Sequence, residues 1–474
     1  MTALEIKAIL PFMVLAAAQV AIILGIALRR SHRLTFALAI GAVIAAVLAV
    51  LLGPAPSPHS LTPLLVVDGY AVFFIVLILL SGLFTFLISY GYLEARRENR
   101  EEFYVLILTA LLGSIVLVAS THLASFLLGL ESLSVSLYAL AAYARTSELS
   151  FEAGIKYLVL AAFSSAFLIF GMALTYAEVG SMEFTAIAAK AATPGMGPVF
   201  LAGMMLIIVG IGFKLAVVPF HMWIADVYEG APAPVVGFIA TVSKGAVSAV
   251  LLRYFMQVDA YGGNSLTLFF VCIAVASMFV GNLLALFQDN LKRLLAYSSI
   301  AHMGYLFVAF LASGGLRVTA VVFYLTAYFI VNLGAFGVVT ILSGKERDAD
   351  RLDDYLGLFF ENPWIAGVLT VMLLSLAGIP LTAGFIGKFY VLAAGIDSVL
   401  WFPVICLIVT SAIGLFYYLR VLIVLFTPAP ENAAAVKHTL SAGAFALALP
   451  VFLLVGLGVY PGPVLTMIIN LAAR

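Results

Sequence analysis

GIGFKLAVVPFHMW, residues 210–223, places Lys214 five residues before Pro219 inside a run that is otherwise almost wholly apolar. Proline removes a backbone donor and disrupts a helix, freeing carbonyls that need other partners; at membrane depth such a break is tolerated where it lines a cavity or is buried in protein. An ionisable group near the bilayer centre costs at least about 2.5–3.5 kcal/mol, so it faces a protein interior or a hydrated path. The stretch therefore reads as a broken membrane helix carrying an ionisable group beside its break. LLSLAGIPLTAGFIGKFY, residues 373–390, has the same character: Gly378, Pro380 and Gly384 disfavour a continuous helix ahead of Lys388.

The rest of the chain supplies the membrane context. It has 474 residues, 64% hydrophobic and 10% charged, with a mean hydropathy of +1.19, whereas a soluble domain is usually about 25% charged. A window of roughly 20 apolar residues predicts fourteen spans, near 8–28, 34–52, 70–92, 103–119, 122–142, 155–176, 199–220, 234–256, 265–287, 294–313, 316–342, 364–391, 401–426 and 440–460. A membrane β-barrel would show short segments of alternating polarity. These runs are long and continuous, so the expected fold class is an all-α polytopic membrane protein. The first span lacks the basic start and small-residue cleavage site of a signal peptide and runs into Arg29 and Arg30, so it is expected to be a mature helix.

Sorting the basic residues by loop tests the count. Loops after odd-numbered spans hold Arg29, Arg30, Arg33, Arg96, Arg97, Arg100, Arg145, Lys292, Arg293, Lys345, Arg347, Arg351 and Lys437; the other side, termini included, holds Lys7, Lys190, Arg253, Arg317 and Arg474. This segregation obeys the positive-inside rule with both termini outside, the periplasmic side of a bacterial plasma (inner) membrane. The short basic loops are accounted for by topology and the net charge is zero, so no nucleic-acid partner is indicated. Cys272 and Cys406 both fall inside spans, which supports no external disulfide, thiol metal site or iron–sulfur cluster. Redox chemistry is therefore expected outside this chain.

Five basic residues remain after the loops are counted, Lys156, Lys214, Lys244, Lys388 and Arg420, and only one acid, Glu131, sits near the middle of a span. Glu131 lies in LLGLESLSVSLYAL, among small residues that permit close helix contact; a proton-linked role competes with a buried, hydrogen-bonded carboxyl. A buried amine holds its proton less firmly and a nearby carboxylate strengthens that hold, so moving Glu131 toward or away from Lys214 would load or unload a proton. Lys244, in FIATVSKGAVSAV, is too deep in the eighth span for easy snorkelling. His221 and His302 titrate in the range a relay needs, although each also fits as a packing residue. Tyr297 reads as an interfacial aromatic or a relay, Lys156 as half of a helix-surface ion pair with Glu152, and Arg420 as a snorkelling side chain.

The two breaks fall in spans seven and twelve. An offset of five spans reverses direction in the membrane, so a repeat of that length is inverted, as in transporters built on broken helices. The expected organisation is an N-terminal three-helix segment (1–100), a first repeat of spans four to eight (101–260), an inverted second repeat of spans nine to thirteen (261–427) and a C-terminal helix (428–474). Glu131 on span five then corresponds to His302 on span ten.

Five motifs in this order, GLESLSVSLYALAAY, EAGIKYLVLAAFSSAFLIFG, GIGFKLAVVPFHMWIADVYEGAPAPVVGFIATVSKGA, LKRLLAYSSIAHMGY and LAGIPLTAGFIGKFY, resemble the antiporter-like subunits of complex I, the proton-pumping NADH:quinone oxidoreductase, over roughly residues 100–425. The first two are similar to its subunit N branch. The resemblance implies that Glu131 and Lys214 form the coupled pair of a cytoplasmic-side half-channel, that Lys244 is a central relay and that Lys388 is the terminal site of the outward half, with Lys156, His221, Tyr297 and His302 as lesser members. Subunit M typically has a glutamate where Lys388 stands, and subunit L continues into further C-terminal helices, so both fit less well. The resemblance also implies that NADH, FMN, iron–sulfur clusters and quinone belong to partner subunits, with no cofactor or metal bound by this chain, and that its neighbours are subunit M and small subunits such as K and J. Moving one charge against 100 mV costs about 2.3 kcal/mol, which a change of under two pKa units on a buried lysine matches. A multisubunit cation/proton antiporter and a proton-pumping membrane hydrogenase are the alternatives.

Overall fold

A computed structural model describes residues 3–53, 59–96, 100–193, 197–257, 265–428 and 442–472; Arg97, Lys437 and Arg474 of the charge count lie outside the described residues. Among these, twelve helices are long and apolar enough to cross a membrane, and a bent pair makes a thirteenth candidate. The chain is a multi-pass membrane protein. Spans one to six are Ala3–Leu28, His32–Leu51, Gly69–Arg96, Glu101–Ala119, Leu123–Ala141 and Glu148–Val179. Spans seven to eleven are Pro198–Leu215, Ala233–Phe255, Ser265–Ala285, Leu291–Leu311 and Leu316–Leu342, and span thirteen is Trp401–Phe426.

The remaining two of the fourteen expected spans are made of shorter pieces. Span twelve is Pro363–Ala377 followed by Ala383–Asp397. The last span is Gly443–Val459 and Gly462–Leu471, bent by 81°. Span six is longer than hydropathy predicts because its amphiphilic start, with Glu148 and Glu152, is already helical behind an N-cap in which Ser147 accepts from the Ser150 N–H. Asn290 and Asn362 cap spans ten and twelve in the same way.

The two five-helix units repeat their pairings. Span four runs along span five as nine runs along ten, and span six lies on seven as eleven lies on the two halves of twelve. Glycine makes the first pairing possible in both units: a Cβ on Gly113 would stand 2.6 Å from the Leu133 amide nitrogen, and one on Gly281 would stand 2.6 Å from that of Ala301. Backbones can approach this closely only over small residues. Spans eight, ten and eleven are buried along nearly their whole lengths, whereas span six turns Phe163, Phe167 and Phe170 outward.

Three basic residues that the charge count groups with the loops are buried within the protein: Arg253, Lys292 and Arg317. The loop count placed them by sequence position alone, whereas each is taken inward by oxygen partners. Arg253 makes two hydrogen bonds to Asp68, Nη1 to Oδ2 at 2.8 Å and Nη2 to Oδ1 at 2.9 Å, and its guanidinium lies over the Tyr70 ring at 4.9 Å. This ties the end of span eight to the start of span three. Burial raises the Asp68 pKa, but Arg253 outweighs it and the carboxyl is held below its usual value. The unfolded chain therefore takes up the proton first as pH falls, so the pair's contribution is complete above the ordinary carboxylate range and disappears as pH drops through the lower folded value. Asp68→Asn is expected to cost about 3 kcal/mol near neutrality, the low end for breaking a buried pair, because Asp68 is 26% exposed. Thermal unfolding from neutral to acid pH would show the gap between wild type and variant closing; a pH-independent gap would contradict this account.

Candidate functional site

Helix Pro198–Leu215 ends one residue after Lys214, where Ala216 adopts the left-handed region (φ 56°). The chain then winds past Pro219 to a short helix, Ile224–Gly230, so the break expected from the proline is present. Lys214 is buried and crosses to span five, where its Nζ donates to Ser134 Oγ at 2.6 Å and to the Tyr138 hydroxyl at 3.1 Å, with the Tyr138 ring centre 5.5 Å away. Ser134 and Tyr138 stand one and two turns beyond Glu131 on the same face. Glu131 itself is half-buried and accepts from Ser165 Oγ of span six at 2.6 Å. Glu131 and Lys214 thus meet the same helix face without forming an ion pair.

The next lysine follows a local change of helix type. Residues Ile239–Ser243 form a π-helical turn directly ahead of Lys244, a distortion frequently found at functional sites. Lys244 is buried and donates to Ser299 Oγ of span ten at 2.7 Å. Span eleven closes over this point because residue 245 is glycine; a Cβ there would lie 2.1 Å from the Phe329 ring. Tyr157 lies beside Ser243, and its ring packs edge-on against that of Tyr138 at 4.9 Å.

Beyond Ser299 the polar thread continues. Ser298 bonds the Tyr418 hydroxyl at 2.5 Å, and His302 is held between Tyr324 at 2.7 Å on Nδ1 and Tyr418 at 3.2 Å on Nε2. A neutral imidazole donates through one nitrogen and accepts through the other, so the two tyrosines must take opposite roles. His302, Tyr324, Tyr328, Ser375 and Lys388 line a cavity of about 10 Å³, just enough for one water. Lys388 donates to the carbonyls of Leu376 and Ala377, both at 2.9 Å, and to Ser411 Oγ at 2.8 Å. Those carbonyls are left open where span twelve breaks, and the ammonium caps the negative end of the half-helix.

Of the lesser candidates His302 lies in this thread, whereas Lys156, His221 and Tyr297 have other surroundings, as does Arg420. Lys156 pairs with Glu152 at 2.6 Å, as its spacing predicts, and also with Asp226 at 2.6 Å. Asp226 is in turn bound by Arg293 at 2.8 Å; burial raises its pKa, and Lys156 and Arg293 more than offset this and hold it down. Arg420 reaches the end of span nine, at the carbonyls of Leu286 and Gln288. Tyr297 is half-buried, and Nδ1 of His221 is buried without a hydrogen-bond partner in the structure. Sequence reasoning did not single out Ser134, Tyr138, Ser165, Ser299, Tyr324, Ser411 or Tyr418. Only Ser134 and Tyr138 carried a sequence signal, their spacing from Glu131. Among the described residues no three His, Cys, Asp or Glu side chains converge on a metal position, and Cys272 and Cys406 are single, free thiols.

With this geometry in place, comparison with known proteins is direct. A family profile described as NADH:quinone oxidoreductase/Mrp antiporter, TM, matches residues 120–414. NADH-quinone oxidoreductase subunit N of Methylococcus capsulatus is 46% identical over 474 residues, covering 99% of this chain and 96% of the relative. The chain belongs to this family. The subunit N of Ectopseudomonas mendocina is 47% identical over 481 residues, covering 99% and 97% of the two chains. A chain in the structure of respiratory complex I from Thermus thermophilus with bound aureothin superposes with a TM-score of 0.83 at 34% identity, covering 96% of this chain and 98% of that one.

The break beside Lys388 yields a test. Gly378 has φ +86°, and a Cβ there would stand 2.9 Å from Lys388 Cδ. Gly378→Ala is therefore expected to cost about 1–2 kcal/mol from backbone strain alone, plus displacement of the lysine. Gly367→Ala, on the same half-helix with nothing within 4 Å, is expected to stay within about 0.5 kcal/mol of wild type. Thermal unfolding of the two variants in detergent gives the comparison, and equal stabilities would contradict it.

Proposed function

We propose that this chain is subunit N of a proton-translocating NADH:quinone oxidoreductase, a translocase subunit that moves protons through its buried lysines and is driven by quinone reduction in partner subunits. One observation carries the mechanism. Lys214, Lys244 and Lys388 are met by hydroxyl and carbonyl oxygens, whereas Lys156, Lys190 and Lys292 are paired with carboxylates. A lysine locked in an ion pair holds its proton strongly. One solvated by neutral oxygens can exchange it.

In this reading Glu131 and Lys214 form the cytoplasmic-side half of the path. The Glu131 charge acts on Lys214 through the Ser134 and Tyr138 face, and its loss or approach sets how firmly the lysine holds a proton. Lys244 is the central relay, handing over through Ser299 and the Ser298–Tyr418–His302 cluster, and Lys388 is the terminal donor of the outward half. Spans four to eight and nine to thirteen act as the two half-channels, flanked by residues 1–100 and 428–474. Tyr297, His221 and Lys156 are peripheral members, with Lys156 held mainly in its surface network. Among the described residues no group of thiols, imidazoles and carboxylates converges on a metal position, and the nicotinamide, flavin, iron–sulfur and quinone chemistry is assigned to partner subunits. The partners are a neighbouring antiporter-like subunit M and small subunits such as K and J, in a bacterial inner membrane with both termini periplasmic. The segregation of basic residues supports that orientation.

Proton pumping and quinone reduction measured together in the assembled complex test the path. Lys214→Ala is expected to lower protons moved per quinone reduced by at least about tenfold, since 1.4 kcal/mol of lost proton affinity already gives that factor. Normal values of both would sink the claim that this lysine lies on the path. Glu131→Gln removes charge and keeps shape; a partial fall of roughly twofold to fivefold is expected, as for a charge interaction of about 0.5–1 kcal/mol across a partly hydrated gap. Unchanged coupling would reduce Glu131 to a packing residue.

A further inference from the structure

The loop between spans eleven and twelve crosses the beginnings of spans eight and ten, and there one carboxylate takes four hydrogen bonds. Asp348 Oδ2 accepts from Lys292 Nζ at 2.8 Å and from the Ala233 N–H at 3.0 Å; Oδ1 accepts from Arg96 Nη2 at 2.6 Å and from the Tyr92 hydroxyl at 2.9 Å. Lys292 also donates to the Ala231 carbonyl at 2.8 Å. The side chains of Lys292 and Asp348 are 1% and 9% exposed. Although burial pushes the Asp348 pKa up, Lys292 and Arg96 hold it down at about 2, so the carboxylate is charged. The loop is also laced to the start of span ten by backbone bonds, Leu291 N–H to Asp350 O at 2.6 Å and Leu352 N–H to Asp289 O at 3.0 Å.

The four donors come from three helices. Arg96 and Tyr92 end span three, Ala233 begins span eight, and Lys292 is the second residue of span ten. Further along those last two helices stand Lys244 and Ser299, joined by a 2.7 Å hydrogen bond. Sliding one helix past the other by half a turn, about 2.7 Å, stretches such a bond to about 3.8 Å even where it runs across the axes, which is out of range. Asp348 binds the starts of both helices at once, through the Ala233 N–H and the Lys292 ammonium.

We infer that Asp348 is a positioning residue of the proton path: its carboxylate fixes the axial register of span eight against span ten and so keeps Lys244 within hydrogen-bond reach of Ser299. The inference rests on the reading of Lys244 as a relay. Asparagine at this position keeps the size, removes the charge and turns an NH₂ group toward the donors that the carboxylate now serves.

The test is a double-mutant cycle in the assembled complex, with protons moved per quinone reduced as the readout. Asp348→Asn is expected to lower that ratio by at least about threefold while quinone reduction continues, and to add less than about twofold when Ser299→Ala is already present, because residues acting through one contact are not additive. An equal factor in both backgrounds, or wild-type coupling in Asp348→Asn, overturns the inference. If Asp348→Asn does not assemble, the same cycle is run with Tyr92→Phe, which removes one of the four bonds. A smaller loss that vanishes beside Ser299→Ala then supports the inference, and no loss or an additive loss overturns it. Lys244→Met separates the two levels: normal coupling in that variant removes the relay reading on which the inference stands, whereas impaired coupling there with normal coupling in Asp348→Asn overturns the positioning role alone.

Discussion

An ammonium group at bilayer depth has no water to solvate it, so the protein must present oxygen at the right place. Each buried lysine of the central thread meets this demand differently, and each solution shapes the fold around it. Lys214 uses hydroxyls of a neighbouring helix, which requires serine and tyrosine on one face of span five. Lys244 uses a serine on span ten and follows a widened helical turn. Lys388 uses backbone carbonyls, which exist only because span twelve is broken. A helix break in this protein is thus a source of solvation as much as an interruption.

The charges fall into two populations. Near the span ends, Asp68 with Arg253, Asp348 with Lys292 and Arg96, and Asp226 with Lys156 and Arg293 form paired networks that hold helices together. Along the interior, the lysines lack such partners and rest on neutral oxygens. Fixed pairs at the ends and unpaired bases within give a stiff frame around a titratable line. Removing one partner of a buried pair leaves the other uncompensated, so the frame is costly to disturb.

Much of this was legible in the amino-acid sequence. The long apolar runs gave the spans, and the proline and glycine in runs with Lys214 and Lys388 gave the two breaks, because backbone chemistry acts locally. Glu131, Lys244 and His302 stood out because a charge or imidazole within an apolar run has few explanations. What escaped was long-range pairing. Ser299 meets Lys244 across 55 positions and Ser411 meets Lys388 across 23, and serine is common enough in membrane helices to carry no signal. The charge count also grouped Lys292 and Arg253 with the loops, since it sees neither Asp348 nor Asp68 waiting on distant segments. Nor could the sequence show that Lys214 reaches the Glu131 face of span five through Ser134 and Tyr138, for the same reason.

The π-helical turn at Ile239–Ser243 changes the direction of everything that follows it on span eight. Such a turn holds one residue more than the α-helix it interrupts, and an extra residue rotates all that follows by about 100°. The part of span eight that starts at Lys244 therefore presents a face that its first six residues, read as one unbroken helix, would direct elsewhere. The widened turn thus re-aims the rest of span eight, the part whose first residue, Lys244, reaches Ser299 of span ten.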